Sequence, residues 1–292
     1  FYLKAKDFDC KKQVMEYHLI DMEYKLRKSG YAAFLRKASA RGAHRAVHCK
    51  VSLRTRASAL RDNPTLFRAC GREMPQGRTL NSMKLAELTV TGFADIVSSD
   101  APAPGGGSCA ALYGAIGAAL TAMVGGLTQG RKKYAEYAEH AAEVEAKGNE
   151  LKTRLLNVMD RDTDAFNVVS AAFGMPKDTD EQKAERSAAI QNGLKGCTKT
   201  PMEMMELIDE TLTLAHSLLG RFNDTSASDL GVAFLSLKAG IQGAWLNVLI
   251  NVGSLKDQEF AAEYRARGEK LLAHALPLAD ECYAEIVKLI DG

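Results

Sequence analysis

The feature that most constrains this chain is a long apolar seam between residues 134 and 172. Steps of three and four residues select an almost unbroken row of apolar positions, which is the spacing of one packed face of an α-helix. The row contains Tyr134, Tyr137, Ala141, Val144, Gly148, Leu151, Leu155, Val158, Asp162, Ala165, Val169 and Ala172. The pattern predicts one long helix over residues 133–173.

Asp162 is a carboxylate on this seam, between Val158 and Ala165, whereas Asp160 and Asp164 lie off it and need only solvation. A buried carboxylate is costly unless it is paired, and loss of water raises its pKa. We therefore interpret Asp162 as a candidate general acid or base. Two structural alternatives remain: local partners satisfy the carboxylate, or the helix is rotated so that Asp162 is exposed.

Helical periodicity continues through the rest of residues 83–292, with breaks at Pro176, Pro201 and the glycine-rich stretch 104–107. This half of the sequence has no convincing strand alternation. We predict an all-α fold with helices at 84–99, 108–128, 133–173, 179–197, 202–219, 229–251 and 257–289.

Residues 108–130 carry no charge, and their length alone would suffice for a transmembrane helix. Composition argues against a membrane span, because the run is mainly Ala and Gly and contains Thr121, Thr128 and Gln129. Small residues allow a helix to pack closely against others. We expect a buried core helix and no membrane association, with a membrane span as the alternative.

Charge divides the chain at Met83. Residues 1–82 carry 18 Lys and Arg against 7 Asp and Glu, and residues 83–292 carry 20 against 29. Three explanations compete for the basic segment: an extension that binds nucleic acid or another acidic surface, an arm that contacts a partner, or non-native sequence upstream of a true start at Met83. We favour the third, expect residues 1–82 to be poorly ordered, and expect no nucleic-acid partner.

The cysteine pattern predicts reduced thiols in a cytoplasmic protein. The six cysteines include no C-x-x-C pair, and the opening residues lack the pattern of a signal peptide. Cys109 lies at a predicted helix start, where a thiolate is favoured, but no histidine is near in sequence, so we interpret it as a packed small residue. His44 and His48 lack the glutamate of the zinc protease pattern and are interpreted as a surface pair. We expect no metal.

Two further motifs flank the uncharged run. The stretch 103–108, Ala-Pro-Gly-Gly-Gly-Ser, is a turn that lets backbone amides approach a ligand and then opens a helix whose N-terminus attracts anions. The stretch 128–134 places Arg131, Lys132 and Lys133 between two helices. Taken separately, a linker or cap explains the first motif and a solvated surface explains the second.

Two more motifs lie near the C-terminal half. Ser228 and Asp229 are predicted to form the N-cap of the following helix. Asn247 and Asn251 lie one turn apart on a very apolar helix, where their amides must find partners. A hydrogen-bond network between helices would explain the asparagines without a ligand.

In this order and spacing the motifs resemble the cyclodeaminase domain of formiminotransferase-cyclodeaminase and its free-standing relatives, including methenyltetrahydrofolate cyclohydrolase. The resemblance covers about 200 residues and includes the glycine turn, the basic loop, the Asp162–Phe166 helix, the Met175–Lys177 break and Arg186, followed by the Ser228–Asp229 and Asn247–Asn251 motifs. The sequence departs from it at Phe222, which precedes Asn223 where the family commonly has glycine. The turn before Ser228 is therefore expected to differ.

The resemblance implies an antiparallel helical bundle, usually a homodimer, with a tetrahydrofolate one-carbon derivative in a crevice and no further cofactor. It also implies a catalytic aspartate on the long helix, a role we carry over to Asp162. The substrate-binding residues we predict are Gly105, Gly106, Gly107, Ser108, Arg131, Lys132, Lys133, Asn223, Asp229, Asn247 and Asn251.

The resemblance leaves two activities open: cyclodeaminase, for which a formiminotransferase is a candidate partner, or cyclohydrolase. A catalytically silent folate-binding or scaffolding bundle is the first alternative. A nucleic-acid-binding protein driven by residues 1–82 is the second. The seam position of Asp162 favours an enzyme, because packing alone gives no reason to keep a carboxylate there.

Overall fold

The computed structural model describes residues 84–292, which fold into a bundle of six α-helices. The helices are α1 (Val90–Val97), α2 (Gly106–Thr128), α3 (Ala138–Phe173), α4 (Asp180–His216), α5 (Ala227–Val252) and α6 (Gln258–Asp291). Short 3-10 helices at Leu85–Glu87, Lys132–Tyr137 and Asp224–Ser226 precede α1, α3 and α5. No strand occurs within residues 84–292, and the all-α prediction is confirmed. The basic extension and the His44–His48 pair lie outside the described residues.

Helix α2 packs against α3 and α5, and both run antiparallel to it. Gly107 near its start contacts Asp162 near the end of α3, whereas Gly125 near its end contacts Ala141 near the start of α3. A methyl group on Gly125 would lie 2.7 Å from the carbonyl oxygen of Ala141, so the two backbones touch there. The Ala and Gly content of α2 is what such close spacing requires.

Two helical segments, Gly106–Thr128 and Asp224–Val252, are long and apolar enough to cross a membrane by length and composition. The core helix of a bundle passes the same test. Helix α2 is such a helix, because Ala111, Ala118 and Val124 on it are completely buried. The prediction of a core helix over 108–128 is confirmed.

The seam lies on α3 and on the 3-10 helix Lys132–Tyr137, which replaces the start of the α-helix predicted over 133–173, and it faces this core. Its members Tyr134, Ala141, Val144, Gly148, Leu151, Leu155, Val158, Val169 and Ala172 are buried, and Tyr137, Asp162 and Ala165 are partly buried. Asp160, for which we expected solvation alone, accepts a hydrogen bond of 2.7 Å from the backbone N–H of Leu85. It thereby ties the chain before α1 to α3.

The structure corrects the prediction of two helices at 179–197 and 202–219. Pro201 lies inside a single helix, α4, which continues to His216. A proline inside a helix lacks the N–H that would bind the carbonyl four residues earlier, which here belongs to Cys197. The side-chain amide of Asn251 on α5 donates to that carbonyl instead, at 2.8 Å. A tertiary contact therefore compensates for the break that the local sequence predicts.

Candidate functional site

The carboxylate of Asp162 lies against the first turn of α2. The completely buried Ser108 hydroxyl donates a hydrogen bond of 3.3 Å to Asp162 Oδ2 and also lies 3.3 Å from Thr163 Oγ1. A methyl group on Gly107 would lie 2.7 Å from Asp162 Cγ, so glycine is needed for this close approach. The seam carboxylate and the glycine turn, two separate motifs in the sequence, form one site.

Burial raises the pKa of Asp162 to about 6. Loss of water disfavours the charged carboxylate, and the hydrogen bonds from Ser108, which favour it, offset only part of that effect. A carboxyl group with such a pKa can accept or donate a proton near neutral pH. The alternative in which Asp162 is fully exposed is excluded, because the residue is partly buried and contacts α2.

Helices α4 and α5 close the same end of the bundle. The Asn247 Nδ2 atom lies 3.7 Å from the place where a methyl group on Gly106 would be. The same amide donates a hydrogen bond of 2.9 Å to the carbonyl of Gly243 on its own helix. Cys197 on α4 is near enough to Asp162 for the carboxylate charge to act on its thiol. Four helices therefore contribute to the site.

The site is open beside the glycine turn. Gly105 and Gly106 are exposed, and a methyl group on Gly105 would meet no atom within 4 Å. Gly196 on α4 likewise has open space in front of its Cα. The first N–H groups of a helix have no carbonyl partner within the helix, so those at the start of α2 can bind a ligand oxygen near Asp162.

The two thiols nearest this site are held in the neutral form. Burial raises the pKa of Cys109. Burial, and then the charge of Asp162, raise the pKa of Cys197 to about 11. Because a thiolate is the nucleophilic form of cysteine, these environments favour packing roles, as the sequence interpretation of Cys109 proposed.

The basic loop lies at the other end of α2, about 33 Å from Gly106 along the helix axis. Lys133 Nζ pairs with Asp224 Oδ2 at 2.7 Å, and the Tyr134 hydroxyl donates to the same oxygen at 3.0 Å. Arg131 and Lys132 are exposed. Within one chain, these three predicted substrate-binding cations do not reach Asp162.

Asn223 is buried at this same distant end. Its Oδ1 atom accepts hydrogen bonds from the backbone N–H and the hydroxyl of Thr225, at 3.2 and 2.9 Å. Its Nδ2 donates to the carbonyl of Leu127 at 3.2 Å, and its backbone N–H donates to Thr128 Oγ1 at 3.0 Å. The amide side chain thus joins the end of α2 to the turn before α5.

The predicted N-cap at Ser228 is wrong by two residues. The 3-10 turn Asp224–Ser226 leads directly into α5, which begins at Ala227, so its N-cap residue is Ser226. Ser228 and Asp229 therefore lie in the first turn of α5. An acidic residue there suits the helix dipole, which accounts for Asp229 without a ligand.

The structure thus divides the predicted site residues into two groups. One group surrounds Asp162 and consists of Gly105, Gly106, Gly107, Ser108, Asn247 and Asn251. The other lies at the far end of α2 and consists of Arg131, Lys132, Lys133, Asn223 and Asp229. Sequence analysis missed Thr163 and Cys197 in the first group. The position of Cys197, four residues before a mid-helix proline, was the available signal for its freed carbonyl.

Residues 89–270 match the family model described as Formiminotransferase-cyclodeaminase. The chain belongs to this family. The match includes Asp162, the glycine turn and both asparagines of α5, so the predicted family is confirmed.

Members of the formiminotransferase-cyclodeaminase family with curated names include proteins of two activities. Methenyltetrahydrofolate cyclohydrolase of Methylorubrum extorquens is 41% identical over 198 residues, which cover 68% of this chain and 95% of that protein. Formimidoyltransferase-cyclodeaminase of Sus scrofa is 36% identical over 183 residues, covering 63% of this chain but 34% of that protein. The match thus spans about a third of the bifunctional relative.

A solved structure of the family has the same fold. The crystal structure of formiminotetrahydrofolate cyclodeaminase from Thermotoga maritima superposes with a TM-score of 0.61 at 25% sequence identity. The superposition covers 71% of this chain and 98% of that one.

Proposed function

We propose that this chain is a folate one-carbon enzyme whose proton-transfer group is Asp162. The observation that carries the proposal is a partly buried carboxyl group with a pKa raised to about 6, held by Ser108 beside an open helix N-terminus. We place hydrolysis of 5,10-methenyltetrahydrofolate first, because the cyclohydrolase relative matches over 95% of its length at 41% identity.

In hydrolysis, a water oxygen attacks the methenyl carbon while the Asp162 carboxylate takes a proton from that water. The bond from this carbon to one folate nitrogen then breaks as the new hydroxyl group releases its proton to solvent and becomes the formyl C=O, and Asp162 returns its proton to the departing nitrogen. The product is a formyltetrahydrofolate. General acid–base catalysis of this kind contributes roughly 100- to 10,000-fold to a rate.

Formation of the methenyl group from 5-formiminotetrahydrofolate is the second candidate, supported by the likeness to the Thermotoga maritima cyclodeaminase. Here the neighbouring anilinic nitrogen attacks the formimino carbon, and ammonia leaves as the ring closes. Asp162 transfers the proton lost by the attacking nitrogen to the departing ammonia, and the second proton that ammonia needs comes from solvent. One carboxyl group thus serves both reactions.

Substrate binding in this proposal uses the residues around Asp162. The N–H groups at the start of α2 polarise an oxygen or nitrogen of the one-carbon unit. Asn247 binds polar edges of the pterin in this proposal, which its closeness to Gly106 supports. Arg131, Lys132 and Lys133 carry charge suited to the glutamate tail, although they lie far from Asp162 in the same chain. No cofactor beyond the tetrahydrofolate substrate is part of the proposal.

We further propose a homodimer, supported by exposed apolar stripes on two helices that pack together. On α2 the stripe contains Tyr113, Ile116, Met123 and Leu127, and on α5 it contains Val232, Leu235, Leu246 and Ile250. Contiguous exposed apolar surface marks association sites. Sedimentation of the full chain, with and without Ile116→Glu, tests this assembly; a wild-type monomer would contradict it.

A cytoplasmic location and, for the cyclodeaminase reaction, a formiminotransferase partner complete the proposal. The cysteine pattern supports the location. The longer relatives named formimidoyltransferase-cyclodeaminase support the partner, because about two thirds of their length lies beyond the match.

The deciding experiment follows methenyltetrahydrofolate absorbance with the full chain. Accelerated loss of the methenyl compound would support hydrolysis, and its appearance from 5-formiminotetrahydrofolate would support the cyclodeaminase. Asp162→Asn should abolish either activity, whereas Asp164→Asn, on the exposed side of the same helix, should not. A folded wild-type protein with neither activity would refute the proposal and favour a folate-binding bundle.

A further inference from the structure

A mid-helix proline leaves one backbone carbonyl near the site without its helical partner. Pro201 has no N–H to donate to the carbonyl oxygen of Cys197, four residues earlier. Cys197 is only 8% exposed, so water is a poor substitute at this position. A buried carbonyl without a donor is destabilising, so the freed oxygen requires a donor from elsewhere in the fold.

Asn251 on α5 supplies that donor. Its Nδ2 atom lies 2.8 Å from the Cys197 oxygen and 2.7 Å from the carbonyl oxygen of Asn247, one turn back on its own helix. Both hydrogens of the amide are therefore donated to backbone carbonyl oxygens. Asn251 has no side-chain N–H left for a folate, which argues against the substrate-binding role predicted from the sequence.

The two carbonyls bound by Asn251 belong to residues that line the site. Cys197 lies within electrostatic reach of the Asp162 carboxylate, and the Asn247 side chain faces Gly106 at the start of α2. One amide thus joins α4 to α5 through two residues that neighbour the carboxyl group and the glycine turn. A change in this junction would move both flanks of the site relative to Asp162.

We propose that Asn251 is a positioning residue, which uses the carbonyl freed by Pro201 to hold α4 and Asn247 in place around Asp162. This inference rests on the proposed folate activity for its kinetic part. Its structural part, the replacement of a missing helical hydrogen bond by a side chain, is independent of that activity.

The test is a double-mutant cycle in the full chain. Asn251→Leu keeps a similar volume but removes the donor. Pro201→Ala restores a backbone N–H that can bind the Cys197 carbonyl within α4. The matched control for the asparagine is Asn149→Leu, whose amide binds only its own helix on the exposed face of α3. The matched control for the proline is Pro277→Ala, because Pro277 lies inside α6 four residues after Ala273, which is exposed.

We expect Asn251→Leu to lower kcat by about 10- to 100-fold, as small displacements of catalytic groups do, while KM changes by less than about twofold. Adding Pro201→Ala should restore most of the lost kcat, and neither control should change it. A merely structural asparagine would lower the thermal midpoint without this selective loss and rescue of kcat.

Three results would overturn the inference: full kcat in Asn251→Leu, a rise in KM alone, or no rescue by Pro201→Ala. If Asn251→Leu does not fold, the folding and kcat of the double variant carry the same test, because the restored N–H should recover both. If the wild-type chain has no folate activity, the proposed function fails separately. The thermal midpoints of the variants then still test whether the Asn251 amide replaces the missing helical hydrogen bond. Additive changes in the thermal midpoint for the two substitutions would refute that replacement.

Discussion

The two ends of α2 were both predicted to bind substrate, yet they differ in how their polar groups are used. At the Gly106 end, Asp162 is paired mainly with one hydroxyl, from Ser108, and open space lies beside the turn. At the Thr128 end, the side chain and backbone N–H of Asn223 make hydrogen bonds with four groups, and the Lys133–Asp224 pair joins two loops.

This difference separates residues available for chemistry from residues occupied by structure. Asn223, Lys133 and Asp224 at the Thr128 end already have partners within the chain, so a ligand would have to displace them. The carboxyl group at the Gly106 end keeps proton affinity near neutral pH because few groups stabilise its charge. The motifs look equivalent in sequence, and their partners distinguish them.

The largest effect is expected from Gly107→Ala. The added methyl group would collide with the Asp162 carboxyl and displace it, so kcat should fall about 100-fold while the helices remain folded. Gly174→Ala is the matched control, because Gly174 lies at the end of α3 outside the site, and a methyl group there would meet only the Ala171 carbonyl oxygen, at 3.4 Å. Steady-state kinetics with circular dichroism would check this. Equal activity in the two variants would show that the Gly106 end takes no part in catalysis.

Asn223→Ala should instead affect stability. Removing a buried amide that joins the end of α2 to the turn before α5 should lower the free energy of unfolding by about 1 to 3 kcal/mol, with little change in kcat or KM of the folded fraction. Urea unfolding provides the measurement, with exposed Asn192→Ala as the control. Normal stability combined with a raised KM would show that Asn223 does bind substrate and that the two ends are alike.

A smaller effect is expected from the protonation of Asp162. Its pKa is raised to about 6 in the folded chain, above that of an unfolded aspartate, so its stabilising contribution is present at low pH and lost as pH rises through 6. Asp162→Asn removes the buried charge and should increase the free energy of unfolding by about 1 to 2 kcal/mol at pH 8. The gain should shrink towards zero below about pH 4. A destabilised Asp162→Asn at pH 8 would show that the carboxylate is well paired.

The smallest effect concerns the exposed cations. If the glutamate tail reaches them, the double change Arg131→Ala with Lys132→Ala should raise KM for a polyglutamylated substrate by about two- to fivefold, the usual size of an exposed charge contact. KM for the monoglutamate should stay the same. In the control variant Lys288→Ala, KM should stay the same for both substrates. An unchanged KM for both substrates in the double variant would show that Arg131 and Lys132 are solvated surface residues that do not bind the glutamate tail.

The sequence predicted the all-α class, the core position of α2 and the family correctly, because these depend on periodicity and on ordered motifs that span many residues. It also predicted that Asp162 faces the core, since one seam position is fixed by its neighbours at three- and four-residue spacing. The contact between Asp162 and the glycine turn joins residues 54 positions apart, so it required the fold.

Other predictions were wrong or incomplete for the same reason. Pro201 breaks a helix by local rules, and the Asn251 amide that compensates for it lies on another helix. Ser228 looks like a cap, but the turn before it is set by Asn223 and the end of α2. Local patterns specify which groups need partners, whereas tertiary packing decides which partners they receive.

The glycine contacts between α2 and α3 have a consequence for anyone redesigning this bundle. Gly107 and Gly125 set the separation of the same two helices at points about 27 Å apart, and Gly107 also sets the depth of the Asp162 carboxyl group. A side chain inserted at Gly125 would push the helix pair apart far from the Asp162 carboxyl group. Because rigid helices transmit such a displacement along their length, a substitution deep in the core would also shift the Asp162 carboxyl group.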